Sequence, residues 1–210
     1  PQINEEQAIS NKVTMTVKDV VYKNKANSYK TTVTLTDANG SKLTAGKDYD
    51  KNLIYTYVHE SVVNIKGGGT EKRAAGDLVT AVDIPSANTA IRVTAKGIGA
   101  YLGNGTASIS RVYRIIAANL SKAKVKADAK VYLNGKEIKL TKDDLNVTLN
   151  GSTLVYGQDY TIDESTYKNN IKKGKATVVL RGIGENYGGE KKITFTIAAK
   201  KVVWWKNLLQ

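Results

Sequence analysis

The 210-residue chain is 41% apolar and 24% charged, carries 32 Lys and Arg against 19 Asp and Glu for a formal charge of +13, and has one His and no Cys. That is the composition of a folded basic protein with room for one or two domains, each able to bury a core without cross-links. The missing cysteines exclude disulfides, thiolate nucleophiles, zinc ribbons and iron–sulfur clusters. His59 has no second His to complete a ligand set, so neither a metal nor a cofactor is expected.

In chain order, residues 1–10 read as a linker. Val13–Val17 and Thr32–Thr36 alternate β-branched residues with period two and predict strands, with the turn dipeptide Asn39-Gly40 following. From about Val58 to Ala90 the alternation gives way to Gly67-Gly68-Gly69, Arg73-Ala74-Ala75-Gly76 and Pro85, the composition of a long loop or an added hairpin. Strands resume at Ala90–Ala95 and Val112–Ile115. Ala117–Lys122 is the expected junction, followed by strands at Ala123–Lys126, Asn146–Leu149, Thr177–Leu180 and Lys192–Ile197 and by turns at Asn134-Gly135 and Asn150-Gly151. No segment has a 3.6-residue period. The expectation is an all-β chain of two tandem antiparallel β-sandwich domains, 11–118 with an insertion at about 58–90, and 119–200. A basic tail, 201–210, holds both tryptophans, Trp204 and Trp205, and is a candidate contact with a membrane interface or a partner.

The two halves repeat each other. Asn39–Tyr49 aligns without gaps on Asn150–Tyr160, with seven of eleven positions identical. Val20-Val21-Tyr22 answers Lys130-Val131-Tyr132, Lys96-Gly97-Ile98-Gly99 answers Arg181-Gly182-Ile183-Gly184, and Val112–Ile115 answers Thr194–Ile197. Gly97 lies 48 positions after Tyr49, whereas Gly182 lies 22 after Tyr160, so the first copy carries 26 additional residues. Added segments on compact scaffolds are common places for recognition. Tyr55, which adjoins the insertion and has no counterpart in the second copy, is therefore a candidate ligand contact together with Asn64, Lys72 and Arg73.

Nine of the 12 tyrosines occupy equivalent positions in the two copies, among them Tyr57 and Tyr167, which marks them as packing residues. The Gly-Ile-Gly steps lack the strand–loop–helix setting of a dinucleotide site and read as corners between strands. Asp37–Asp48 resembles a calcium loop only in part, with Lys42 where the turn glycine belongs. Only five of the 32 cations are arginine, and they form no aromatic-interleaved stripe, so specific nucleic-acid binding is not expected. Carboxylates such as Asp159 and Glu164 are accounted for by turns and surface, so the chain is not expected to be an enzyme. No apolar run approaches the ~18–20 residues that cross a bilayer, and Pro1–Ile9 lacks the order of a signal peptide, which places any export signal upstream.

Gly157–Tyr160, Tyr167–Asn170, Lys173–Val178, Gly182–Gly189 and Phe195–Ile197 resemble the Ig-like repeats of large secreted or surface proteins of gut Firmicutes, especially Lachnospiraceae-type clostridia. The Trp204-Trp205 ending is similar to the C-terminus of such proteins. The resemblance implies a noncatalytic, monomeric Ig-like module, secreted or on the surface of a Gram-positive bacterium, that acts as a spacer or adhesive element. Glycans or host surface proteins at the insertion, or anionic cell-wall polymers drawn by the positive charge, are the expected partners.

Overall fold

The computed structural model describes residues 13–102 and 107–199. The linker 1–10, Trp204 and Trp205 lie outside these described residues. Among the described residues the fold is all-β, with only single 3-10 turns of helix, and the chain divides between Ala118 and Asn119 into two compact units.

Unit one runs through β1 (Thr14–Val17), β2 (Val20–Val21), β3 (Val33–Thr36), β4 (Ile54–Tyr57), β5 (Ser61–Ile65), β6 (Thr70–Arg73), β7 (Asp83–Ile84), β8 (Ala90–Lys96) and β9 (Ser108–Ile116). β1 and β3 form a two-stranded sheet, and β2-β9-β8-β4 form a four-stranded one. Alternation decides which side chains meet. Met15 lies opposite Leu35, while Ile91, Val93 and Ala95 of β8 and Tyr113 and Ile115 of β9 are all buried. Each large aliphatic side chain so buried contributes about 1.5–3 kcal/mol.

Unit two follows β10 (Ala118–Asn119) with β11 (Lys124–Ala127), β12 (Lys130–Val131), β13 (Leu145–Leu149), β14 (Ser152–Thr153), β15 (Tyr160–Lys168), β16 (Gly174–Gly182), β17 (Tyr187–Gly188) and β18 (Glu190–Ala198). Its larger sheets are β11-β13-β14 and β12-β18-β16-β15. Replacing β2, β9, β8 and β4 by β12, β18, β16 and β15 therefore reproduces the large sheet of unit one. One pairing in each unit is parallel rather than antiparallel, Val20 with Ile115 and Lys130 with Ile197. The physical reason is a first strand that breaks and changes sheet. β1 pairs with β3, then β2 joins β9, and β11 and β12 do the same with β13 and β18. Tyr22 N donates to Ile116 O at 2.7 Å, and Tyr132 N donates to Ala198 O at 2.9 Å.

The repeated Gly-Asp-Tyr and Gly-Ile-Gly motifs meet in one corner in each unit. Thr44 N donates to Asp48 Oδ2 at 2.7 Å and Val155 N to Asp159 Oδ2 at 2.8 Å. Gly46 N reaches Tyr49 O at 2.7 Å and Gly157 N reaches Tyr160 O at 2.8 Å, while Ile98 N to Asp48 O and Ile183 N to Asp159 O are both 3.0 Å. Asp159 is thereby accounted for as a turn residue, and Glu164 pairs with exposed Lys139. The Asn-Gly turns differ among themselves. Asn134-Gly135 and Asn150-Gly151 hold positive φ at both residues, the latter as the tight hairpin between β13 and β14 requires, whereas at Asn39-Gly40 only the glycine does. There the Asp37 carboxylate accepts from the amides of Asn39 and Ser41, at 2.9 and 2.8 Å.

Candidate functional site

The insertion is a small sheet, ordered β6-β5-β7. Its hairpin turns at Gly67, Gly68 and Gly69, with φ of +98°, +102° and +87°, a run of left-handed conformations that side chains resist. Beyond β6, the chain runs beside the outer edge of β4. Gly76 N donates to Tyr57 O, Tyr57 N to Asp77 O and Val79 N to Tyr55 O, at 2.8, 2.9 and 2.9 Å. An edge strand with unsatisfied backbone groups is thereby covered.

Asp83 fastens this sheet to the rest of unit one. Its carboxylate, 0% exposed, accepts from Tyr57 Oη at 2.9 Å, Arg73 Nη2 at 2.7 Å, Arg73 Nε at 3.2 Å, Thr80 N at 3.0 Å and Thr80 Oγ1 at 2.8 Å. Burial pushes the carboxyl up, but the Arg73 guanidinium, both Thr80 donors and the Tyr57 hydroxyl outweigh it and hold the group below the usual carboxylate range. The same burial, reinforced by the hydrogen bond to Asp83, pushes the Tyr57 hydroxyl strongly upward. With five donors on two oxygens, Asp83 is committed to the fold and has no free lone pair for proton transfer or a cation.

The structure separates the four candidate contact residues. Tyr55 is a correction, because it is only 8% exposed and packs edge-to-face on Tyr29, with ring centroids 5.4 Å apart. The two-residue period of β4 turns Tyr55 to the same interior as Tyr57. Arg73 is a second correction, because its guanidinium is held between Asp83 and Glu71 on the inward face of the inserted sheet.

Asn64 and Lys72 remain on the outward face. Register sets Val62 opposite Lys72, and Asn64 between Thr70 and Ile84. Val62 is 57% exposed, Lys72 is exposed and Asn64 is half-buried. Lys66 and Val82 extend the face, since Lys66 N donates to Val82 O at 2.8 Å. These residues include two lysines and no carboxylate. The exposed side chains of this face are the apolar Val62 and Val82 and the cationic Lys66 and Lys72. His59 lies nearby, exposed, and among the described residues no group of three or more metal-ligating side chains converges.

Asp83 is the site residue that sequence reasoning missed. Its only local signal is a charge inside the apolar run Val82-Asp83-Ile84-Pro85, a pattern that in a folded chain demands a partner. No protein-family model matches the chain, and no curated protein or solved structure is significantly similar to it.

Proposed function

We propose that the chain is a tandem pair of Ig-like sandwich modules, noncatalytic and extracellular, that serves as a spacer or adhesive element of a secreted or surface bacterial protein. The observation that carries this reading is the duplicated corner, in which Asp48 and Asp159 accept equivalent amides. A unit copied with its corner intact is what a load-bearing array requires. Residues 1–118 and 119–210 expressed separately should each unfold cooperatively, and the intact chain pulled from its ends should give two unfolding events. A single event, with both halves unfolded in isolation, would reject the proposal.

A second reading, contact with glycans or host proteins, is favoured by the exposed face carrying Val62, Asn64 and Lys72. The double variant Val62→Ser with Lys72→Ala should lose binding on a glycan and mucin panel without change in melting temperature. Retained binding would assign adhesion elsewhere, and a salt-sensitive signal indifferent to these residues would indicate attraction of anionic wall polymers by the charge of +13.

A further inference from the structure

Unit two has a groove that its sequence builds by shrinking three side chains. Counting from the paired Tyr22 and Tyr132, Val13 just before β1 and Met15 and Val17 within it correspond to Ala123 just before β11 and to Val125 and Ala127 within it. Each replacement is smaller. Between β11 and the first half of β18 lies an open groove of about 380 Å³, with Ala123, Val125 and Ala127 on one wall and Ile193 on the other. That volume is within the ~300–1,000 Å³ of ligand sites.

The rim has changed with the floor. Thr14 of unit one gives way to Lys124, and Lys191 and Lys192 stand on the opposite lip, while no carboxylate lines the groove. Lys191 Nζ donates to Ser121 O at 2.9 Å and is engaged. Lys124 and Lys192 make no ion pair among the described residues and are free to meet an anion. Both walls are also strand edges. β11 bonds only to β13, and β12 covers the outer side of β18 only at Ile197 and Ala198. Unit one protects the corresponding edge of β9 with Asp19, whose Oδ1 accepts from Arg114 N at 2.8 Å, and the residue corresponding to Asp19 in unit two is Ala129.

We propose that this groove binds an extended acidic peptide segment of a partner protein. Its backbone would lie along the open edge of β18, its small apolar side chains over Ala123, Val125 and Ala127, and its carboxylates against Lys124 and Lys192. Backbone pairing supplies a general affinity, and the cationic rim beside the small side chains of Ala123, Val125 and Ala127 selects alternating apolar and acidic residues. This inference is independent of the inserted sheet.

The test is an amide-resolved NMR titration of the full chain with a capped heptapeptide alternating Val and Glu, with its Val and Gln counterpart, and with free glutamate. Shifts should concentrate in residues 123–127 and 191–194, and the Gln peptide should bind roughly tenfold more weakly. Ala123→Val with Val125→Met and Ala127→Val, residues unit one already accommodates, should abolish binding. Lys124→Gln with Lys192→Gln, both on the exposed rim, should weaken it to the level of the Gln peptide. Equal binding of the two peptides, unchanged affinity in the lysine variant, equivalent shifts from free glutamate, or no shifts in these residues would each overturn the proposal.

Discussion

The α-carbon of Gly99 faces the carbonyl of Lys47 so closely that a Cβ built on it would lie 2.9 Å from the oxygen, and Gly184 stands in the same relation to Gln158 at 3.2 Å. Both glycines hold positive φ, +57° and +77°. The Gly-Ile-Gly step in each copy is thus a corner pressed against the backbone of the preceding Asp-containing turn, and its second glycine is required twice over, by conformation and by space.

Gly99→Ala should destabilise unit one by about 2–3 kcal/mol, and Gly184→Ala should cost unit two about 1–2 kcal/mol, since the left-handed region alone costs roughly 1–2 kcal/mol and the closer contact adds to it. Gly40→Ala, at φ +82° with open space around it, should show only the conformational part. Urea denaturation followed by circular dichroism measures all three. Equal losses at Gly99 and Gly40 would remove the steric argument.

Breaking the pair at Asp83 should be costly. Asp83→Ala leaves the mostly buried Arg73 guanidinium and the Tyr57 hydroxyl without their acceptor, a loss on the order of 3 kcal/mol or more for a buried pair. The pH dependence has a definite sign. Because the folded carboxyl titrates below its unfolded value of about 3.9, its contribution is full above that value and disappears as pH falls through the folded pKa. The stability difference between the native chain and Asp83→Ala should therefore be constant near neutrality and narrow below about pH 4. A difference that widens on acidification would mean that Asp83 is protonated in the fold.

The inserted sheet should be part of the fold and not an appendage. Replacing residues 62–86 with a short turn removes Val79 O from the Tyr29 hydroxyl and Asp83 from Tyr57, and uncovers the outer edge of β4. The melting temperature of unit one should fall by at least about 10 °C, and light scattering should detect self-association through the bared edge. An unchanged melt and a monodisperse monomer would show that the insertion is merely attached.

Tyr55 and Lys72 should behave in opposite ways. Tyr55→Ala empties a buried ring site and should cost about 3–5 kcal/mol, whereas Lys72→Ala and Asn64→Ala on the outward face should stay within about 1 kcal/mol of the native chain. Thermal melts of the three variants check this. A stable Tyr55→Ala would return that residue to the list of surface contacts.

The amino-acid pattern by itself determined that the chain is all-β, where the strands Val13–Val17, Thr32–Thr36, Ala90–Ala95 and Thr177–Leu180 lie, and where the first copy departs from the second. Those properties are local. Period-two alternation, β-branched residues and Asn-Gly steps act through neighbouring backbone and need no distant partner. Only the tertiary structure decided that Tyr55 and Arg73 belong to the interior while Asn64 and Lys72 stay outside, and that Asp83 holds the inserted sheet in place. The physical reason is that burial depends on what covers a strand. For β4 the cover is chain from Gly76 to Val79, and for the charge of Arg73 it is a carboxylate on another strand, so neither could be read from the residues beside them.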